Sequence, residues 1–70
     1  MQIMNPKDIK AELIKRGIKQ IDIAKEIGTY PSTINLVITG ISTKSEISRS
    51  IREHIAYLIG LPVDEIWTKD

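Results

Sequence analysis

The hydrophobic and polar positions of the chain repeat with the period of an α-helix, and glycines and prolines divide them into five stretches. Gly17, Gly28, Gly40 and Gly60 each follow an apolar stretch, as glycine commonly does after the end of a helix. The prolines lie just before or at the start of a stretch, where helices tolerate them. The pattern predicts an all-α fold without strands, with helices over about residues 6–16, 20–27, 31–39, 44–59 and 62–67.

The apolar residues of these helices must form one small core. A chain of 70 residues is a single domain and buries only about 60% of the surface of its unfolded state, so most large apolar side chains are needed inside. The side chains that we expect to face this core include Ile9, Leu13 and Ile14 in the first helix, Ile47, Ile51, Ile55 and Leu58 in the fourth, and Leu61, Ile66 and Trp67 folded back on its end.

Two helix starts carry capping residues. Asn5 stands before Pro6, and an asparagine side chain at this position accepts a hydrogen bond from the first turn. Thr43 and Glu46 have the spacing of a capping box before the fourth helix.

Residues 20–39 have the layout of a helix-turn-helix, two short helices joined by about three residues. Gly28 provides the positive backbone angle that a sharp turn needs, and the small Ala24 permits close approach of the second helix. On a helical wheel, Val37 and Ile38 lie within about 60° of Ile34 and mark the buried side. Ser32, Asn35, Leu36 and Thr39 lie on the opposite side, with Thr33 at its margin.

The stretch Gln20-Ile-Asp-Ile-Ala24-Lys-Glu-Ile-Gly28-Thr-Tyr-Pro-Ser-Thr-Ile34-Asn-Leu-Val37 resembles the helix-turn-helix of the Cro and lambda-repressor-like family. The ending from Ile55 to Trp67 is similar to the closing element of that family, and both pieces look most like its small Ner-like phage regulators. The resemblance implies a compact five-helix DNA-binding domain. Two positions differ from the family pattern, since Tyr30 and Lys19 stand where serine or threonine usually precedes a helix.

The family resemblance implies that the helix over residues 31–39 lies in the major groove, which admits an α-helix and presents distinct base edges. No charged residue occurs from Thr29 to Thr43, so the common arginine–guanine contact is missing and a site rich in A·T pairs is expected. The candidate base contacts are Ser32, Thr33, Asn35, Leu36 and Thr39.

Binding to phosphates must then come from flanking residues. Helix starts attract anions through free backbone N–H groups, and cationic side chains lie near two such starts. Because few phosphates are reached by one chain, binding as a homodimer on two half-sites is expected. The candidate phosphate contacts are Arg16, Lys19, Gln20, Tyr30, Thr43 and Lys44.

Composition removes several other classes of function. Without cysteine and with a single histidine, the chain offers no disulfide framework and no multi-histidine metal site, and neither a cofactor nor a small-molecule ligand is expected. His54 and the nearby serines lack a carboxylate that would orient the imidazole, so an enzyme is not expected. No apolar run is long enough for a membrane span, and a cytoplasmic protein is expected.

The distribution of charge leaves two functions open. The net charge is +1, but residues 1–19 carry +3 and residues 44–52 carry +2, whereas residues 53–70 carry −3. Basic segments favour a DNA-binding regulator of the phage or prophage repressor type. The low total charge and the uncharged third helix leave open a protein-interaction module, such as an antitoxin-like or assembly-accessory subunit, that keeps the fold without reading bases.

Overall fold

The computed structural model describes residues 3–41 and 46–67. These residues form four α-helices, α1 (Pro6–Lys15), α2 (Gln20–Ile27), α3 (Pro31–Ile38) and α4 (Glu46–Ile59), followed by a 3-10 turn over Val63–Glu65. The all-α class is confirmed. The bounds of α1, α2 and α3 agree with the sequence prediction within one residue.

The predicted fifth helix over residues 62–67 is confirmed in part, as a single turn of 3-10 helix over Val63–Glu65. The backbone N–H groups of Ile66 and Trp67 both donate to the carbonyl of Val63, at 3.0 and 2.9 Å, and close this turn. So short a segment gains little from helix formation on its own, and the burial of Ile66 and Trp67 decides its shape. As a consequence, the described residues do not show the five-helix architecture that the lambda-repressor resemblance implied.

One hydrophobic core joins all the elements. Ile34 of α3 and Ile51 and Ile55 of α4 are fully buried in it, and Trp67 closes it as expected from the sequence. The remaining buried apolar residues are Ile9, Leu13, Ile23, Ala24, Val37, Ile38, Ala56, Ile59 and Ile66, and the partly buried Met4, Ile18, Ile27, Leu58 and Val63 pack against them.

Three of the apolar side chains predicted for the core lie at the surface. Ile14 is 74% exposed, because it is about 140° away from Ile9 around α1. Ile47 is also exposed, since it lies about 100° from the centre of the buried residues of α4. Leu61 follows Gly60 outside the helix and remains partly exposed.

Backbone hydrogen bonds join the segment before α1 to the segment that follows the 3-10 turn. The N–H groups of Ile3 and Met4 donate to the carbonyl of Ile66, at 2.9 and 3.1 Å. The predicted N-cap of α1 is confirmed, since the Asn5 side chain accepts from the N–H of Lys7 at 2.9 Å. The predicted capping box begins at Thr43, outside the described residues.

Candidate nucleic-acid interface

Helices α2 and α3 form a helix-turn-helix, with their facing residues buried. Ile23 and Ala24 on α2 and Ile34 and Val37 on α3 are almost completely removed from solvent. The small side chain of Ala24 lets the two helices approach closely, as the sequence predicted. This packing holds α3 from behind and leaves its opposite side free.

The turn between the two helices is made by Gly28. Its backbone adopts the left-handed conformation, with φ 87° and ψ 39°, which other residues adopt only with strain. The N–H groups of Gly28 and Thr29 both donate to the carbonyl of Ala24, at 2.8 Å each. This C-terminal motif ends α2 and directs the chain into α3.

The outward side of α3 carries a row of small polar side chains and one leucine. Ser32 is exposed, Leu36 is 40% exposed, and Thr33, Asn35 and Thr39 are partly exposed. All five residues predicted as base contacts are therefore accessible to solvent. No hydrogen bond to the Asn35 carboxamide occurs within residues 3–41 and 46–67, so its donor and acceptor are both available.

The hydroxyl of Thr39 is engaged within the protein. Its Oγ1 donates to the carbonyl of Asn35 at 3.0 Å and lies 3.2 Å from the carbonyl of Leu36. With its proton used here, Thr39 can still accept a hydrogen bond from a base amino group. Thr39 is the C-cap of α3, which ends one residue earlier than predicted.

Tyr30 occupies the N-cap position of α3 without a capping hydrogen bond from its side chain. Pro31 follows at the first helical position, where its missing N–H has no consequence. The ring of Tyr30 is 74% exposed and its hydroxyl is free to meet a backbone phosphate. Lys19 likewise gives no side-chain cap to α2.

A groove runs along the start of α2 and combines two lysines with apolar residues. Lys19 and Gln20 were predicted to meet phosphates at this place, but Lys10 on α1 was not. Lys10 lines the groove from α1, opposite the segment that leads into α2, and no local spacing in the sequence indicated this. The residues that line the groove are Lys10, Leu13, Ile14, Ile18, Lys19 and Gln20.

Arg16 is held by contacts inside the protein. One guanidinium nitrogen, Nη1, is hydrogen-bonded to the side chain of Glu12 and, at 3.1 Å, to its carbonyl. The other, Nη2, donates to the carbonyl of Ile59 at 3.0 Å. The Arg16 hydrogen bond, with Lys15 nearby, holds the pKa of the Glu12 carboxyl below its ordinary value of 4.5.

Other candidate residues lie outside this interface. Thr43 and Lys44, predicted as phosphate contacts, fall outside the described residues. Across the described part of the chain, no cluster of histidine and carboxylate residues could hold a metal ion. None of the described helices has the length and apolar character that crossing a membrane requires.

The chain matches the family described as winged helix-turn-helix DNA-binding over residues 4–69, and it belongs to that family. It is a helix-turn-helix DNA-binding domain, which agrees with the geometry of α2 and α3. Searches of curated proteins and of solved structures found no match.

The family is described as winged, whereas the sequence pattern predicted no strands. Within residues 3–41 and 46–67, strand-like pairing occurs where Ile3 and Met4 donate to the carbonyl of Ile66, and Trp67 is in a β-bridge. The interface available for DNA in the described residues is therefore helical.

Proposed function

We propose that this protein binds double-stranded DNA in a sequence-specific manner and regulates transcription in the cytoplasm as a repressor of the phage or prophage type. In this proposal α3 lies in the major groove and α2 crosses the DNA backbone. The resemblance to Cro and lambda-repressor-like proteins, and to Ner-like regulators among them, supports the repressor role. Membership of a DNA-binding family supports DNA as the ligand.

The single observation that carries the proposal is the solvent-exposed polar side of α3, supported from behind by α2. A helix can read base edges only if its outward side chains are free and its axis is fixed. Ser32 is exposed and the Asn35 carboxamide has no partner in the described residues, whereas Ile34 between them is fully buried.

The side chains on the exposed side of α3 favour contacts with A·T base pairs. The amide of Asn35 can meet adenine through two hydrogen bonds, and Leu36 can contact a thymine methyl group. The described part of α3 and its turn carries no arginine or lysine that would pair with guanine. Ser32, Thr33 and Thr39 add single hydrogen bonds that read either kind of pair.

Phosphate contacts would fix the register of the domain on DNA. We assign this role to Lys19, Gln20 and Tyr30, with Arg16, Thr43 and Lys44 as further candidates, and add Lys10 because it shares a groove with Lys19. Each neutralised phosphate contributes about −0.9 to the slope of log binding constant against log salt. A single chain therefore binds weakly, and we propose a homodimer on two half-sites.

Selection of bound sequences from random duplexes tests the proposal. We expect an A·T-rich site with two-fold symmetry. Titration of the selected duplex at two salt concentrations should show weaker binding at the higher one. Recovery of unrelated sequences, or binding that does not change with salt, would contradict the proposal.

A protein-interaction module is the alternative, and one observation favours it. Asp22 and Glu26 lie around Lys25 on the surface of α2, so part of the helix-turn-helix repels DNA. The two functions differ in what they require of α3. If the protein reads DNA bases, replacing Ser32 and Asn35 by alanine would abolish its preference among DNA sequences. If it is a protein-interaction module, the same replacement would leave binding to its protein partner unchanged.

A further inference from the structure

The groove that Lys10 and Lys19 share, which we call the α1–α2 groove, is largely apolar between the two lysines. Leu13 is 2% exposed and Ile18 is half-buried, whereas 74% of the surface of Ile14 is exposed. A single exposed apolar side chain is common on protein surfaces, but these three line one cavity of about 330 Å³. That volume lies at the lower end for ligand pockets and admits about one or two side chains.

The charges around the α1–α2 groove are all positive. Neither Lys10 nor Lys19 forms an ion pair within the described residues. On a helical wheel the acidic residues of α1, Asp8 and Glu12, lie about 120° and 160° away from Ile14. The acidic side of α1 is thus turned away, and two unpaired cations remain beside the apolar lining.

We propose that the α1–α2 groove binds an acidic segment of a protein partner, in which apolar side chains are flanked by aspartate or glutamate. The apolar side chain covers Leu13 and Ile14 and displaces water from them. The flanking carboxylates pair with Lys10 and Lys19 through charge-assisted hydrogen bonds. The half-buried Gln20 can donate to and accept from the backbone of the segment.

Charge complementarity and the apolar lining together favour a peptide over a DNA phosphate as the occupant of the α1–α2 groove. A phosphate can pair with either lysine, but it offers no apolar surface to Ile14 and Ile18. An acidic segment with an apolar side chain meets both parts of the groove. Recognition of acidic motifs by clustered cations is a recurring mode of peptide binding.

The inference deepens the proposed function, and its regulatory consequence rests on that function. Lys10 and Lys19 are also proposed phosphate contacts, and a carboxylate and a phosphate repel each other beside the same lysine. Binding of the acidic segment therefore opposes binding of DNA, so that the protein partner releases the regulator from its site. By linkage, DNA weakens binding of the segment by the same factor.

Selection from a library of short random peptides, with the folded chain as the target and no DNA present, tests the docking site. The enriched peptide is then synthesised, and fluorescence anisotropy measures its Kd for the unchanged chain and for variants. The groove variants are Ile14→Ala, Lys10→Ala and Lys19→Ala. The matched controls are Ile21→Ala, at an exposed isoleucine of α2, and Lys25→Ala, both outside the groove. Circular dichroism checks that every variant folds.

We expect enriched peptides with aspartate or glutamate on both sides of leucine, isoleucine or phenylalanine. Each groove variant should bind the peptide about five- to tenfold more weakly, and both controls should bind it as the unchanged chain does. Salt should weaken binding, because the lysines are accessible to solvent. Failure to enrich any peptide, enriched peptides without acidic residues, or an equal loss in the controls would overturn the inference.

Competition with the selected DNA duplex separates the inference from the proposed function. The peptide should raise the apparent Kd for DNA as its concentration increases. A peptide that occupies the α1–α2 groove without affecting DNA binding would overturn the regulatory consequence. A chain that binds DNA but enriches no peptide would refute the inference alone, and a chain that binds the peptide but no DNA would refute the proposed function alone.

Discussion

Arg16 connects the C-terminal ends of two helices through its hydrogen bond to Ile59. The guanidinium Nη2 lies 3.0 Å from the carbonyl oxygen of Ile59, 43 residues further along the chain. Carbonyls in the last turn of a helix lack partners within the helix, and a cation at this end also interacts favourably with the helix dipole. Arg16 therefore stabilises α1 and α4 together.

Replacing Arg16 by lysine should lower stability while retaining the positive charge. A lysine has one ammonium group and cannot reach Glu12 and Ile59 in the same planar geometry. We expect a loss of about 1 kcal/mol, discounted for the exposure of the side chain. In a domain of this size this loss corresponds to a fall in Tm of roughly 4–8 °C.

The same variant separates the structural role of Arg16 from its predicted role at a phosphate. If Arg16 contacts DNA only through its charge, Arg16→Lys should leave the salt dependence of DNA binding unchanged. Thermal unfolding and salt titration of the one variant measure the two roles independently. A variant as stable as the unchanged chain would contradict the structural role.

The stability of the protein should fall in acid partly through Glu12. The pKa of Glu12 is lowered in the folded state, so its contribution is present above its ordinary value of 4.5 and is lost as the pH falls through the folded value. Glu12→Gln should therefore be less stable than the unchanged chain at neutral pH. The difference should disappear in strong acid, which thermal unfolding over a pH series can check.

Gly28 should resist substitution because of its backbone angle, not because of crowding. No heavy atom lies within 4 Å of the position that a Cβ would take, but φ is +87°. Gly28→Ala should cost about 1–2 kcal/mol in denaturant unfolding, and Gly28→Asn less, since asparagine tolerates this conformation better. Equal stability of the unchanged chain, Gly28→Ala and Gly28→Asn would show that the backbone angle at this position does not limit substitution.

The proposed phosphate contacts of Lys10 and Lys19 can be tested with lysine variants matched in charge. Lys10→Ala and Lys19→Ala should each weaken DNA binding and reduce the salt slope by about 1. Lys25→Ala removes the same charge from α2, but Lys25 lies between Asp22 and Glu26. We expect the Lys25 variant to bind with an unchanged slope, and an equal effect of all three would indicate that only net charge matters.

The helices of this fold could be predicted from the sequence because their ends are marked locally. Gly28, which adopts the left-handed conformation without strain, marks the end of α2, and Pro31 at the first helical position marks the start of α3. The helical period also identified the buried Ile34 and the outward Ser32. These features depend on a few consecutive residues.

Contacts between distant segments could not be predicted in this way. The bond from Arg16 to Ile59 and the shortening of the fifth helix to a 3-10 turn depend on tertiary packing. The groove that Lys10 and Lys19 share was likewise not indicated by any local spacing. Ile14 shows the limit of a helical-wheel prediction, because an apolar residue at the edge of the apolar side of a helix can face either the core or solvent. The sequence therefore predicted the bounds and the exposed side of α3 better than the long-range contacts of the fold.

A substitution at Leu36 tests whether this leucine contacts DNA bases or is only an exposed side chain. Because Leu36 is 40% exposed, Leu36→Ala should change stability by no more than about 0.5 kcal/mol. If its methyl groups contact thymine, the variant should lose preference at one base pair of the selected site while binding other sequences as before. Ile21→Ala, at a similarly exposed isoleucine of α2, is the matched control and should keep the full preference. Binding selections with the three proteins measure this directly, and an unchanged preference of the Leu36 variant would show that this leucine does not read DNA.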